Sequence, residues 1–249
     1  MKKMSFAKGL LQALLLLPLA AMASEAEVHL DRAPVNFQDN ESLQRGAAVF
    51  VNYCLSCHSA SAMRYSRMTD IGLTEPQIKD NLLYATDKPG NTMTIAMNKK
   101  EAKGWFGATP PDLSVITRSR GADWVYTYLR SFYRDDSRPT GWNNTVFDKV
   151  GMPHVLHELQ GQMVPVYKTE TDHEGKPHQV IERLELAQPG KMTLAEYDGL
   201  VADLVNYMSW MGEPAKGKRE HVGIAVLLFL GIFFVVAFYL KKEFWKDVH

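Results

Sequence analysis

Cys54-Leu55-Ser56-Cys57-His58 is the stretch on which the reading of this chain turns. The pattern is C-x-x-C-H, the attachment sequence of a c-type haem. Its spacing follows from chemistry. Two thiols three positions apart on a helical turn reach the two vinyl groups along one haem edge and bond to them as thioethers. The histidine that comes next then faces the iron as its proximal ligand. Two other chemistries use a C-x-x-C pair. A thioredoxin-like couple expects a βαβ context, whereas Ser42 to Tyr53 reads as a helix with Leu43, Ala47, Phe50 and Val51 on one face. A zinc site needs further Cys or His at ligand spacing, and no cysteine remains beyond these two. One covalent haem c per chain is expected, bound through Cys54 and Cys57 and ligated by His58.

Both ends of the chain agree with an exported, membrane-tethered carrier. Lys2, Lys3 and Lys8, then the apolar run Leu10 to Leu19, then Ala21-Met22-Ala23 form the three parts of a secretory signal, so residues 1–23 read as a signal peptide. Val222 to Leu240 is 19 residues without a charge. As a helix it would reach roughly 28 Å, enough for a hydrocarbon core of about 30 Å. Tyr239, Phe244 and Trp245 suit an interfacial belt. Three basic residues stand on either side of the span, so the charge rule gives no orientation. The signal peptide supplies it: residues 24–221 form one periplasmic domain, 222–240 the transmembrane helix, and 241–249 a cytoplasmic tail.

The chain as a whole is neutral, with 28 Lys+Arg and 28 Asp+Glu. That balance averages over segments with different fates. Residues 24–215 hold 19 basic and 25 acidic side chains, a net charge of −6. An acidic domain is an unlikely nucleic-acid binder and a suitable partner for a basic protein.

Within the domain a second helix is expected around Asp123 to Tyr133, and Pro110-Pro111 breaks the chain before Asp112. Val164, Val166 and Lys168 alternate, as do Val180, Glu182, Leu184 and Leu186, with Asp172-His173-Glu174-Gly175 between them. That predicts a β-hairpin over 162–186. Thr193-Leu194-Ala195-Glu196 is a capping box. It opens a helix with Leu200, Leu204 and Met208 on one side, ended by Gly212 and Pro214.

The sixth iron ligand is less sharply drawn among 12 methionines and 8 histidines. Met152 stands in Val150-Gly151-Met152-Pro153, where Gly admits close backbone approach and Pro stiffens the segment. Met163, Met93, Met97, His154 and His157 compete with it.

Taken together these residues resemble cytochrome c1, the haem subunit of the cytochrome bc complex (respiratory complex III). The resemblance rests on Arg45-Gly46 with Val49-Phe50 before the motif and Met63-Arg64-Tyr65 after it. It extends to Pro110-Pro111-Asp112-Leu113-Ser114 with Arg118 and Arg120, to Gly151-Met152-Pro153, to Trp210-Met211-Gly212-Glu213-Pro214, and to the single C-terminal span. Arg138-Pro139-Thr140-Gly141-Trp142-Asn143-Asn144 looks like the proteobacterial branch. The resemblance implies a mainly α, cytochrome c-like domain with a hairpin insertion and one transmembrane helix. It implies Met152 as sixth ligand, Arg120 as the partner of a haem propionate, and Pro110 and Pro111 as the wall beside His58, where a carbonyl accepts its Nδ1–H.

The function so implied is electron transfer within a quinol:cytochrome c oxidoreductase. Single electrons would pass from the Rieske iron–sulfur subunit through the haem to a soluble or membrane cytochrome c, with cytochrome b as a further partner. The chain is then not an enzyme on its own. Two other readings share some of these features: a tethered monohaem cytochrome serving another complex such as a terminal oxidase, and a haem enzyme or gas sensor with an open sixth position.

Overall fold

The computed structural model describes residues 28–171 and 175–247. The signal segment and cleavage site expected at 1–23 lie outside the described residues, as do Asp172 to Glu174 of the hairpin tip. The first helix, α1 (Asn40–Val49), starts two residues earlier than the apolar pattern suggests, because the Asp39 carboxylate caps it by accepting from the Ser42 N–H at 2.9 Å. From Phe50 to Cys54 the helix widens into a π turn, with the Leu55 N–H reaching the Phe50 carbonyl at 3.0 Å. A π turn holds one more residue than an α turn and rotates the chain beyond it. The C-x-x-C-H segment leaves the helix from this point.

After that segment come β1 (Ala60–Arg64), a 3-10 turn (Tyr65–Ile71), α2 (Glu75–Asn81), β2 (Thr92–Met93) and α3 (Lys99–Phe106). α4 (Ile116–Arg120) and α5 (Ala122–Arg130) meet at Gly121. The helix expected to run to Tyr133 stops at Arg130. There the Ser131 hydroxyl turns back to the Thr127 carbonyl at 2.6 Å, and Phe132 and Tyr133 enter a strand, β3 (Phe132–Arg134), antiparallel to β4 (Trp142–Asn144). Pairing with a partner further along the chain, which buries both aromatics, overrides local helical preference.

A short α6 (His157–Gln160) leads into the hairpin, β5 (Gly161–Thr171) and β6 (Pro177–Pro189). It is slightly longer at both ends than the expected 162–186. Register shifts at Gln162/Met163 and Val166/Tyr167 break the simple alternation. Gly161 and Met163 at its base are buried, and most of β6 is exposed. The capping box forms as expected: the Glu196 carboxylate accepts from the Thr193 N–H at 2.8 Å and opens α7 (Leu194–Gly212).

The core lies where α1 crosses α7. Leu43, Ala47, Phe50 and Val51 are buried there against Tyr197, Val201, Leu204 and Tyr207. Gly46 sits at the crossing: a Cβ on it would stand 2.0 Å from the Asp203 carbonyl oxygen and 2.6 Å from Tyr207 Cβ. Beside it, Arg45 makes a two-pronged ion pair with Asp203 at 2.6 and 3.1 Å. The Arg45-Gly46 pair of the sequence is thus the contact point of the two main helices. Because Gly46 meets backbone, Gly46→Ala must push the helices apart. We expect a loss of about 1–3 kcal/mol or more, read as a lower thermal midpoint of the haem-loaded protein; an unchanged midpoint would show that the crossing is slack.

The last helix, α8 (Lys216–Phe244), continues past the expected span through Lys241 and Lys242. Its candidate span, Val222–Phe244, is 23 residues long and uncharged up to Leu240, and its most apolar window is not buried against the rest of the described chain. At 1.5 Å per residue it reaches roughly 34 Å, enough for a bilayer core. The architecture is the mainly helical domain with a hairpin insertion and one long apolar C-terminal helix that the sequence led us to expect.

Candidate functional site

The segment after the two cysteines is latched to the Pro-Pro-Asp-Leu-Ser loop by a ladder of short bonds. The Leu113 N–H donates to the Ser59 carbonyl at 2.8 Å. The Asp112 carboxylate accepts from the Ser61 N–H at 2.9 Å and from the Ser114 N–H at 2.8 Å, and the Ser114 hydroxyl accepts from the Ala62 N–H at 3.0 Å. Burial pushes the Asp112 carboxyl upward, but the Ser114 and Ser61 donors outweigh it and hold the group below its ordinary pKa. Each polar side chain of the run therefore has a structural task.

His58 is buried, and its Nδ1 lies 2.8 Å from the Pro111 carbonyl. A carbonyl can only accept, so Nδ1 carries the proton and Nε2 keeps its lone pair. Burial lowers the imidazole pKa, against the Pro111 carbonyl and Asp112, which act the other way. A neutral ring held in one tautomer is what metal ligation requires.

His58 faces a cavity of about 330 Å³, within the range of roughly 300–1,000 Å³ usual for cofactor sites. Cys54, Cys57, His58, Pro110, Pro111, Arg120 and Met152 all line it, although up to about a hundred residues of chain separate them. Apolar side chains supply most of the wall, among them Ile116, Val125, Leu129, Leu204 and Met208. Neither cysteine is in a disulfide. Burial, with Cys57 adding to it, pushes the Cys54 thiol up to about 12. A thiol so protonated and enclosed is a poor redox nucleophile. Free paired thiols, a fixed imidazole and an apolar slot of this size fit a covalently held haem.

The competing ligands lie elsewhere. His154 is buried outside the cavity, stacked on Phe132 at 4.8 Å, with Nε2 at 2.7 Å from Gln160 Oε1. Burial lowers its pKa to about 4. His157 Nδ1 bonds the His154 carbonyl at 2.9 Å. Met93 accepts from the Tyr207 hydroxyl at 3.7 Å. Met97 lines a neighbouring pocket that shares Cys57, Thr109, Pro110 and Pro111 with this cavity but includes neither His58 nor Met152, and Met163 is buried at the base of β5.

Met152 is held in the cavity by residues that local sequence does not reveal. The Asn143 side-chain oxygen accepts from the Lys149 N–H at 2.8 Å, and that of Asn144 from the Val146 N–H at 2.9 Å. The Asn144 amide in turn donates to the Tyr128 carbonyl at 2.8 Å. Both asparagines are buried on β4, so they carry the 145–152 loop across the cavity. Gly151 runs against α3: a Cβ there would stand 2.7 Å from the Phe106 carbonyl oxygen. Arg120 also lines the cavity and is exposed, its guanidinium 5.3 Å over the Trp124 ring. No acidic side chain among the described residues pairs with it. Trp124 stacks on Tyr128 at 4.9 Å, and the Tyr128 hydroxyl donates to Met152 Sδ at 3.4 Å. Burial raises the Tyr128 pKa, so the phenol stays protonated. The spacing Arg120, Trp124, Tyr128 is the available clue to this wall; Met208 belongs to the apolar face of α7 that the sequence does show.

The Cytochrome C1 family matches residues 31–248. The chain belongs to the cytochrome c1 family. A Nitrosomonas europaea protein named ammonia monooxygenase gamma subunit is 52% identical over 246 residues, covering 99% of this chain and 100% of that one. The cytochrome c1 of Allochromatium vinosum is 48% identical over 237 residues, 95% of this chain and 96% of that one. A Bradyrhizobium diazoefficiens protein named cytochrome b/c1 is 26% identical over 249 residues, 85% of this chain and 34% of that one. Cytochrome c1 is the membrane-anchored electron-transfer subunit of the bc1 complex and carries one covalently attached haem c. The reductase activity belongs to the complex rather than to this subunit.

Proposed function

We propose that this chain takes single electrons from a Rieske iron–sulfur subunit and passes them to a cytochrome c, beside cytochrome b in the same complex. Bound in the cavity, haem supplies a one-electron ferric/ferrous couple. The chain's own residues do the rest. Cys54 and Cys57 would hold the group as thioethers, each S–H adding across one vinyl double bond. His58 offers Nε2 to the iron while Pro111 keeps its other nitrogen protonated. Met152 would offer its thioether from the 145–152 loop, and a His/Met ligand pairing favours a high potential. Arg120 offers an unpaired cation to a propionate, and the apolar wall excludes water. The observation that carries the reading is the convergence of all seven residues on one cavity, with the His58 to Pro111 bond at 2.8 Å.

The signal-like N-terminus favours a periplasmic domain, with residues 222–240 in the inner membrane and the 241–249 tail in the cytoplasm. The Met152 loop in the cavity weighs against a sensor or haem enzyme with an open sixth position. The name of the Nitrosomonas relative and its 52% identity favour a second reading, a carrier serving a different membrane enzyme. Purification of the tagged chain from membranes in mild detergent separates the two. Cytochrome b and a Rieske protein should accompany it, with quinol-dependent cytochrome c reduction in the eluate. Recovery with another oxidase or oxygenase and no cytochrome b would overturn the proposal.

A further inference from the structure

We propose that Tyr128 is a positioning residue for the sixth ligand, its hydroxyl selecting which lone pair of the Met152 sulfur is left to face the iron. The inference rests on Met152 being that ligand.

The asparagine bonds and Pro153 hold the backbone around Met152, with Gly151 close against Phe106, but they do not fix its side chain. Methionine has three rotatable bonds beyond the backbone and settles into several rotamers at similar energy. A thioether sulfur has two lone pairs and is a weak hydrogen-bond acceptor. One fixed donor is enough to choose between its orientations. Tyr128 is such a donor. Its hydroxyl lies 3.4 Å from Met152 Sδ. Its ring cannot swing away: Trp124 stacks on it at 4.9 Å and 10°, and Phe132 meets it edge-on at 5.1 Å and 69°. Its carbonyl is held by Asn144, whose own oxygen holds the Met152 loop. Donor and acceptor are therefore set by one asparagine. Arg120, Trp124 and Tyr128 then form a continuous stripe along the cavity wall. The stripe links the proposed propionate partner to the sulfur.

A thioether favours the ferrous state because it donates only weakly to iron, and electron donation stabilises the ferric state. A hydrogen bond on the sulfur weakens that donation further, so the bond adds to the preference for the reduced state. Tyr128→Phe removes only the hydroxyl and keeps the ring stacking. In the membrane-purified complex it should leave haem content and the low-spin state intact. It should shift the thioether–iron charge-transfer band and move the electron-exchange equilibrium roughly threefold toward the oxidised state. At 59 mV per tenfold for a one-electron couple that is a midpoint about 30 mV lower. Tyr126→Phe, on the same helix under the Arg130 guanidinium at 4.6 Å, should change neither. Redox titration and the optical spectrum of both variants, run beside Met152→Leu, decide the matter. If Met152→Leu loses the band while Tyr128→Phe keeps the parent band and midpoint, the role of Tyr128 is refuted and the ligand reading stands. If Met152→Leu keeps the band, both fall. An equal shift in Tyr126→Phe also refutes the proposal, because it would show a general effect of the helix.

Discussion

The Cys54→Ser/Cys57→Ser double variant is expected to lose covalent haem entirely, while each single variant keeps one thioether. Serine nearly matches cysteine in size, so the backbone turn can persist. Its hydroxyl forms no thioether with a vinyl group under the same conditions. The double variant also leaves an apolar cavity of about 330 Å³ without its covalently held occupant. At about 24 cal/mol per Å³ of residual cavity the cost is at most roughly 8 kcal/mol. That is a ceiling, because the cavity is not fully enclosed and water can enter it once the haem is gone. The full loss would rival the whole stability of a typical domain, about 5–15 kcal/mol, and even half of it approaches the low end of that range. The double variant should therefore be scarce in membranes as well as colourless. Haem staining after denaturing electrophoresis, with an immunoblot for the polypeptide, measures both. A haem-stained band from the double variant would refute the attachment assignment.

Met152→Leu should keep the haem and lose its function. The thioethers and the His58 bond do not involve Met152, so haem content should match the parent. Leucine is close in volume, and packing should suffer by less than about 1.5 kcal/mol. Stranding the Tyr128 hydroxyl adds about 1–3 kcal/mol where water cannot replace the sulfur. Leucine has no lone pair for iron. The ferric state should become high-spin or take up water, and the midpoint should fall because the thioether no longer favours the ferrous state. Electron transfer from a Rieske centre then runs uphill, and quinol-dependent cytochrome c reduction should collapse in an assembled complex. An unchanged low-spin spectrum and midpoint would falsify the ligand assignment. Met208 shares the cavity and would be the next residue to replace; Met163, buried under the hairpin, would not.

Much of this molecule is legible in its sequence because it is local. Cys54, Cys57 and His58 are adjacent or nearly so, and their joint chemistry needs no fold to be seen. The Thr193–Glu196 capping box and the uncharged run from Val222 work through neighbours within a turn or through composition alone. The end of α5 escapes such a reading because β3 depends on a strand about ten residues further on, and no local preference records that pairing. The hairpin is visible in the alternation, but its register shifts are not, since an extra residue in one strand leaves no mark until the partner is known.

Contiguous residues suffice for the proposed attachment points and the long apolar C-terminal helix, because covalent or helical geometry sets each of those spacings. The remainder of the site exists only in three dimensions. Local sequence leaves Met152 among five competitors, and enclosure separates them: His154 turns to Gln160, Met93 to Tyr207, and only Met152 of the six lines the cavity. That placement depends on two buried asparagines of β4 bonding a loop several residues away. Gly46 and Asp203, and Asp112 and Ser61, likewise meet only after the chain has folded back. Close packing and directional hydrogen bonds act between surfaces, and surfaces exist only once distant segments are brought together.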